Sequence, residues 1–297
     1  MRLKERSSLR LALLLISTLT VMSGAVIAPA LPSLANAFAG HANAELLARL
    51  VLTIPALFIA FFSPLAGWLI DRYGKMRILL VAMLLYAGAG TAGFYLANIY
   101  TLLVSRALLG LSVAVIMTCA TALAGDYFEG KERNQFLGIQ NAIMALSATF
   151  YIALSGLLAD FNWRYSFLIY GFSLPFMLAV RRFLYEPEVV KPDRKLRMGQ
   201  ALSAQTKGIV ALVYLLTFLG MVLFYMVPVQ TPFLFKEMGI TQPSRQGIGL
   251  MGVTLFAAFM ASQYGRLKRF ASFSRIYAFN FLIMGAGYWM VTQFTSF

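Results

Sequence analysis

Long runs without any charged residue alternate along the chain with short segments that hold nearly all of the charge. Eight of the nine runs contain 19 or more residues and the other contains 16; they cover residues 11–40, 50–70, 78–105, 107–125, 134–159, 165–180, 208–235, 246–265 and 276–297. A helix rises about 1.5 Å per residue, so about 20 apolar residues cross a hydrocarbon core of about 30 Å. Each run therefore predicts one membrane-spanning helix. Lipid offers no hydrogen bonds to the backbone, which excludes open strands.

The composition supports an integral membrane protein. Hydrophobic residues make up 60% of the chain and charged residues 12%, with a mean hydropathy of +0.75. Soluble domains contain about 45–50% apolar and about 25% charged residues. The sequence has no histidine or cysteine cluster, phosphate-binding loop or nucleophile arrangement. We therefore expect an all-α protein with no cofactor, no metal and no enzymatic activity.

The basic residues are distributed unevenly between the two sides of the predicted helices. With the N-terminus in the cytoplasm, 20 of the 25 basic residues lie in segments facing inward, and one, Arg106, lies inside a run. The outward set is Arg49, Arg164, Lys236 and Arg245. This is the positive-inside distribution, and it predicts a cytoplasmic N-terminus. It also accounts for the net charge of +14 without a nucleic-acid partner.

The first predicted helix is open to a second interpretation as a secretory signal. Residues 1–25 imitate a secretory signal, with a basic start, an apolar run and Ser-Gly-Ala at 23–25. The apolar run continues through Leu31 and further runs follow, which favours retention as the first helix. Cys119 lies within the fourth run, so the sequence predicts no disulfide framework.

Proline and glycine positions recur with a period of about 198 residues. The recurring pairs are Pro29 with Pro228, Gly40 with Gly239, Gly67 with Gly265, Gly88 with Gly285 and Gly90 with Gly287. Repeated halves are typical of transporter folds. The repeat predicts a six-helix N-terminal half at 1–185, a cytoplasmic linker at 186–206 and three helices of a C-terminal half at 207–297. Because counterparts of the fourth to sixth helices would be missing, we expect a fragment of a twelve-helix protein.

Several motifs, most of them in the turns, resemble those of a known family. The turn after the second run contains Gly67, Leu69, Asp71, Arg72, Gly74, Lys75 and Arg77. This resembles the G-x-L-a-D-R-x-G-R-R loop of the major facilitator superfamily. Arg106-x-x-x-Gly110, Gly125-Asp126-Tyr127-Phe128 and Trp163-Arg164-x-x-Phe167 are similar to further motifs of the family. The resemblance implies a helical bundle of that superfamily that works as a secondary transporter.

The resemblance also implies roles for the loop residues. Asp71 would be an inner latch that holds the two halves together in one state, with Arg77 and Asp126 as a supporting pair. Independently of the family, Gly74 permits a tight turn, and a carboxylate at a helix end can meet the positive end of another helix. The alternative is that Arg72, Lys75 and Arg77 only anchor the topology.

Arg106 and a group of uncharged polar residues are the candidates for the transport pathway. An arginine at the membrane centre costs about 3 kcal/mol, so Arg106 should face a cavity or a partner. Two interpretations are open. In the first, Arg106 contacts an anionic substrate or modulates a nearby proton site. In the second, it extends outward to the membrane interface or bonds to neighbouring carbonyls. Candidate pathway residues are Ser17, Thr20, Ser23, Gln140, Asn141, Tyr214, Thr217, Tyr225 and Gln230. Single polar groups in membrane helices also commonly bond to adjacent helices.

Three functional hypotheses remain open at this stage. Pro29-x-Leu31-Pro32 resembles family members that export drugs and metabolites against protons, in a bacterial inner membrane. No run contains a carboxylate near its middle, which leaves uptake or facilitated diffusion open. A non-transporting remnant that needs a further chain is the third hypothesis. We expect a small-molecule substrate, protons as a possible coupling ion, the lipid bilayer as surroundings and a monomer.

Overall fold

The computed structural model describes residues 3–41, 43–187, 204–270 and 272–294, and these fold into helices. The α-helices are α1 (Leu3–Ala25), α2 (Leu31–Ala37), α3 (Ala44–Tyr73), α4 (Lys75–Thr91), α5 (Ile99–Tyr127), α6 (Gly130–Phe161), α7 (Ser173–Phe183), α8 (Ala204–Glu237), α9 (Pro243–Phe270) and α10 (Phe273–Phe294). Short 3₁₀ segments cover Ala28–Ala30, Ala92–Phe94 and Trp163–Phe172. Over the described ranges, the all-α prediction is confirmed.

The helices form nine consecutive rods at the positions of the nine predicted spans, as far as the chain is described. The first rod combines α1, a 3₁₀ turn and α2; the sixth combines the segment Trp163–Phe172 with α7. Counting only described residues, six rods are by themselves long and apolar enough to cross a membrane: the first to fifth and the seventh. Residues 188–203, which make up most of the predicted linker, lie outside the described residues.

Prolines in the first rod mark a change of helix type rather than an end. Pro29 lies in the first turn of the 3₁₀ segment, and Pro32 in the first turn of α2. Proline is tolerated in a first turn because the N–H that it lacks has no intrahelical partner there. Both prolines are buried, so the first rod stays packed in the core where it changes from 3₁₀ to α-helix.

The chain divides into two compact units. The first unit comprises residues 1–190 and 229–255, and the second comprises 191–228 and 256–297. Within the second unit, the Tyr288 hydroxyl on α10 donates to the Leu223 carbonyl on α8 at 2.6 Å. The predicted domains have the bounds 1–185, 186–206 and 207–297. These bounds come from the sequence repeat and not from contacts between residues, and they stay a prediction.

Helix α5 lies at the centre of the first unit. Its buried side chains recur every three or four residues, as in Leu102, Arg106, Leu109 and Val113. Gly110, four residues after Arg106, adjoins this buried face, and a β-carbon there would lie 2.6 Å from the Pro55 carbonyl oxygen of α3. A small residue lets two helix backbones approach closely, so Gly110 sets the spacing of α3 and α5.

Replacing Gly110 by alanine should destabilise the first unit because the new methyl group overlaps the backbone of α3 at Pro55. We expect a loss of about 1–3 kcal/mol in the free energy of unfolding. Denaturant titration in detergent, followed by circular dichroism, measures this loss. Gly88→Ala is the matched control, since a β-carbon at Gly88 meets nothing within 4 Å. Equal stability of the two variants would contradict the close packing of α5 on α3.

Candidate functional site

A single residue, Gly74, forms the turn between α3 and α4, which the sequence predicts to lie on the cytoplasmic side. Helix α3 ends at Tyr73 and α4 begins at Lys75, while Gly74 has a φ of 91°. Side chains with a β-carbon rarely adopt positive φ, so the one-residue turn requires glycine. The Gly74 N–H donates to the Ile70 carbonyl at 3.1 Å and closes the last turn of α3. The tight turn that the sequence predicts at Gly74 is therefore present.

The turn presents Lys75 to the end of α5. The Lys75 ammonium donates to the Asp126 carboxylate, and the two side chains are only 11% and 22% exposed. Asp126 therefore pairs with Lys75, whereas Arg77 is exposed and joins no ion pair among the described residues; the supporting role of Arg77 and Asp126 stays a prediction. The reason is geometric. Residues two apart on a helix point about 200° apart, so α4 cannot present Lys75 and Arg77 to α5 together.

Glu186 completes this inner cluster, and the sequence analysis missed it. Its two carboxylate oxygens accept from the backbone N–H groups of Lys75 and Met76, each at 2.8 Å. The first N–H groups of a helix lack intrahelical partners, and the positive end of the helix dipole favours a carboxylate. Gly74 has no side chain that could cap α4. The sequence thus indicated that an acceptor was needed, but not which residue supplied it.

Contacts between α5 and the end of the sixth rod hold Glu186 near α4. The Tyr127 hydroxyl donates to the Tyr185 carbonyl, and the Tyr185 N–H donates back to that hydroxyl at 3.2 Å. The centroids of the two rings lie 5.1 Å apart. Since Tyr185 precedes Glu186, these bonds fix the chain just before the capping carboxylate. The cluster of Gly74, Lys75, Asp126, Tyr127 and Glu186 is called the inner cluster below.

Asp71 and Arg72 lie at the end of α3 beside the inner cluster. Asp71 is exposed, and no ion pair or hydrogen bond joins its carboxylate to another residue in the described part of the chain. The Arg72 guanidinium lies 5.2 Å from the ring of Trp68 and 5.6 Å from the ring of Tyr73. Gly67, one turn earlier, has open space around it. The latch role of Asp71 stays a prediction.

Arg106 is fully buried within the first unit. Its Nη2 group donates to the carbonyls of Ala89 at 2.9 Å and Gly90 at 2.7 Å. The guanidinium also lies 4.8 Å from the ring of Phe167 and 5.0 Å from that of Tyr170. Ala89 and Gly90 are in the last turn of α4, where carbonyls lack intrahelical donors and the helix dipole is negative. Arg106 therefore caps the C-terminal end of α4, which matches the alternative of bonding to neighbouring carbonyls.

The surroundings of Arg106 are hydrogen-bonded to the first rod. Tyr86 donates to the Leu19 carbonyl at 2.8 Å, and Tyr170 donates to the Ser23 carbonyl at 3.0 Å. A β-carbon at Gly90 would overlap the Tyr170 side chain, which explains why a glycine stands there. Within the described residues, the charge of Arg106 is balanced by carbonyl groups and aromatic rings rather than by a carboxylate.

The other pathway candidates differ in their exposure and hydrogen bonds. Gln140 on α6 donates from Nε2 to the Ser17 hydroxyl on α1 at 2.6 Å, whereas the neighbouring Asn141 is exposed. Tyr214 is exposed and Tyr225 half-buried, and both belong to the second unit. The hydroxyls of Thr20, Ser23 and Thr217 bond to carbonyls of their own helices, and Gln230 is exposed. Among the described residues, no group of three His, Cys, Asp or Glu side chains is placed to hold a metal ion.

Comparisons with known proteins identify the family. The chain matches the profile of the Major Facilitator Superfamily over residues 13–297. The chain belongs to this superfamily, a class of non-enzymatic membrane transporters.

Two curated relatives and one solved structure extend this result. The class H tetracycline resistance protein of Pasteurella multocida is 28% identical over 56% of this chain and 41% of its own length. Multidrug resistance protein 1 of Bacillus subtilis (strain 168) is 27% identical over 72% of this chain and 54% of its own length. A bacterial homolog of the human lysosomal transporter Spinster, inward-facing and unoccupied, superposes with a TM-score of 0.73 at 20% identity, over 91% of this chain and 64% of that chain. That last likeness shows the fold alone. The chain spans about half the length, or less, of these curated relatives.

Lys75 and Asp126 should stabilise the inner cluster as a coupled pair. Lys75→Met and Asp126→Asn each leave the other charge poorly exposed to water and unpaired, whereas the double variant removes both charges. We expect a coupling free energy of about 0.5–3 kcal/mol from the double-mutant cycle of unfolding in detergent. The same cycle with Arg77→Met in place of Lys75→Met is the control. A coupling as large for Arg77 as for Lys75 would contradict the observed pairing.

Proposed function

We propose that this chain forms part of a secondary transporter that moves small molecules by alternating access, and that it exports a drug-like compound or metabolite in exchange for protons. The observation that carries the proposal is the family match over residues 13–297. The names of the two curated relatives, a tetracycline resistance protein and a multidrug resistance protein, support export rather than uptake. The positive-inside distribution supports a cytoplasmic N-terminus, and the bacterial sources of the two relatives support a bacterial inner membrane. We expect the transporter to be a monomer.

The inner cluster supports a role for Asp71 as a latch. Lys75, Asp126 and Glu186 are joined to one another through α4, so the turn at Gly74 is a rigid support. Asp71 stands on this support, exposed to solvent. A carboxylate in that position is available to meet the positive end of another helix in a different conformation. Arg72 rests on aromatic rings beside it, a position that suits an interfacial anchor.

We assign Arg106 to positioning rather than to substrate contact. Its Nη2 group donates to two carbonyls at the end of α4, and its planar surface faces two aromatic rings, whereas Nε and Nη1 have no hydrogen-bond partner among the described residues. Gln140 and Asn141 on α6, with Tyr214 and Tyr225 on α8, remain our candidates for the substrate pathway. Tyr214 and Tyr225 are eleven residues apart, which places them on the same face of α8 about three turns from each other.

Uptake or facilitated diffusion is the second candidate function. The observation that favours it is the lack of a carboxylate near the middle of any apolar run of the sequence. Buried carboxylates are the usual proton carriers in pumps and transporters. If protons drive this protein, the carriers must lie near the helix ends, where Glu45, Asp126 and Asp160 are found.

Arg106→Lys should reduce stability without changing substrate affinity, because the ammonium cannot reproduce the planar contacts of the guanidinium. We expect the free energy of unfolding to fall by about 1–3 kcal/mol, with an unchanged KM for the folded fraction. Arg77→Lys, at an exposed position on α4, is the control. A KM that rises for anionic substrates alone, at full stability, would show instead that Arg106 contacts the substrate.

Proton coupling predicts that export depends on the pH gradient. Inverted membrane vesicles that contain the protein should accumulate a fluorescent drug when their lumen is acidic. Accumulation should fall to the level of protein-free vesicles when nigericin removes the gradient. Valinomycin, which removes only the electrical potential, is the control. Equal transport with and without the pH gradient would exclude proton coupling and favour facilitated diffusion.

A further inference from the structure

The outer ends of α6 and α9 meet within the first unit through a charged contact. Asp160, the second-to-last residue of α6, accepts at Oδ1 from the backbone N–H of Ser244 at 2.9 Å. Ser244 is the second residue of α9, whose first turn contains no acidic residue of its own. The carboxylate of one helix thus satisfies an unpaired N–H of another and lies at its positive end.

Close backbone packing continues this contact inward along the two helices. A β-carbon at Gly156 would lie 3.0 Å from the Pro243 carbonyl oxygen, and one at Gly247 would lie 3.3 Å from the Ile152 carbonyl oxygen. Further along, the hydroxyls of Thr149 and Thr254 lie 3.0 Å apart. The positions on α6 are seven and four residues apart, so they share one helix face. The contact from Asp160–Ser244 to Thr149–Thr254 is called the outer seam.

Two further contacts join the outer ends of other helices in the same unit. The Lys236 ammonium on α8 donates to the Asn36 amide oxygen at 2.9 Å. The Arg49 guanidinium on α3 lies 4.6 Å from the ring of Phe233. Both contacts are between a charged group and a neutral one. In the outer seam, by contrast, a full negative charge meets the end of a helix dipole.

We propose that Asp160 is the outer latch of the transport cycle: its carboxylate on the N-terminus of α9 keeps the outer seam closed, and it must release before α6 and α9 separate. This rests on the alternating access proposed above. Asp160 is exposed, so water can replace the Ser244 N–H as soon as the seam opens. A contact that breaks in every cycle needs this property. The glycine and threonine contacts define where α9 docks, and the carboxylate holds it there.

The test measures opening of the seam directly and does not depend on transport. A single cysteine is placed at Thr149, which is 9% exposed, in a Cys119→Ser background. A membrane-impermeant maleimide is then applied from the outside to right-side-out vesicles. Asp160→Asn removes the charge but keeps the shape, and we expect the outside labelling rate to rise about two- to fivefold, the effect of an exposed charge at a helix N-terminus. Glu237→Gln, an exposed carboxylate at the end of α8, should leave the rate unchanged.

A second variant tests the same seam without changing a charge. Gly156→Ala places a methyl group against the Pro243 carbonyl, so it should also raise outside labelling of position 149. Gly138→Ala, on the same helix with nothing within 4 Å, is its control and should not. Labelling from the inside, in inverted vesicles, should stay constant or fall in both seam variants. This separates a released latch from a loosened fold, which would raise labelling from both sides.

The proposal is overturned if Asp160→Asn labels at the parental rate from the outside, or if labelling rises equally from both sides. It is supported if outside labelling alone rises in Asp160→Asn and Gly156→Ala. Failure of transport in vesicles, with the labelling pattern intact, would refute the proposed function and leave the latch in place.

Discussion

The ends of helices in a lipid bilayer leave backbone groups without partners, and in this protein charged side chains from distant parts of the chain satisfy several of them. Helix α4 shows the rule at both of its ends. Glu186 accepts from the N–H groups of Lys75 and Met76 at the inner end. Arg106 donates to the carbonyls of Ala89 and Gly90 at the other end. Each charge has the sign that the helix dipole favours at that end. The position of α4 therefore depends on residues from the sixth rod and from α5.

This arrangement explains the positions of several charged residues at or near the helix ends. Lys75 and Asp126 lie at adjacent ends of α4 and α5, and Glu186 follows the end of α7, so their contacts join three elements, while Asp160 lies at the C-terminal end of α6. These charged residues fall into two groups. The charges of the inner cluster, together with Arg106 inside α5, bond within the first unit. Asp160 and Asp71 are both exposed. Asp160 accepts a hydrogen bond from α9, and we propose that Asp71 meets another helix in a different conformation.

The sequence predicted the rods and the Gly74 turn well because each depends on local physics: the length of an apolar run and the backbone freedom of glycine. It did not predict the partner of Asp126, because choosing Lys75 over Arg77 requires the rotation of α4 relative to α5. Glu186 was missed for a related reason. Its partners lie 110 and 111 residues away in the chain, and nothing local marks it as a cap. For Arg106, the sequence indicated burial but left open the choice between a ligand and carbonyl groups.

The roles proposed for Asp71 and Asp160 require that the inner cluster and the Asp160 end of the outer seam lie at opposite surfaces of the membrane. Single cysteines at Tyr73 and Lys131, near the inner cluster, and at His41 and Ala97, in the opposite turns, report this directly in a Cys119→Ser background. An impermeant maleimide added to intact cells should label positions 41 and 97 and leave 73 and 131 unlabelled until the membrane is opened. Labelling of 73 and 131 from the outside, with 41 and 97 protected, would contradict the topology on which every proposed role depends.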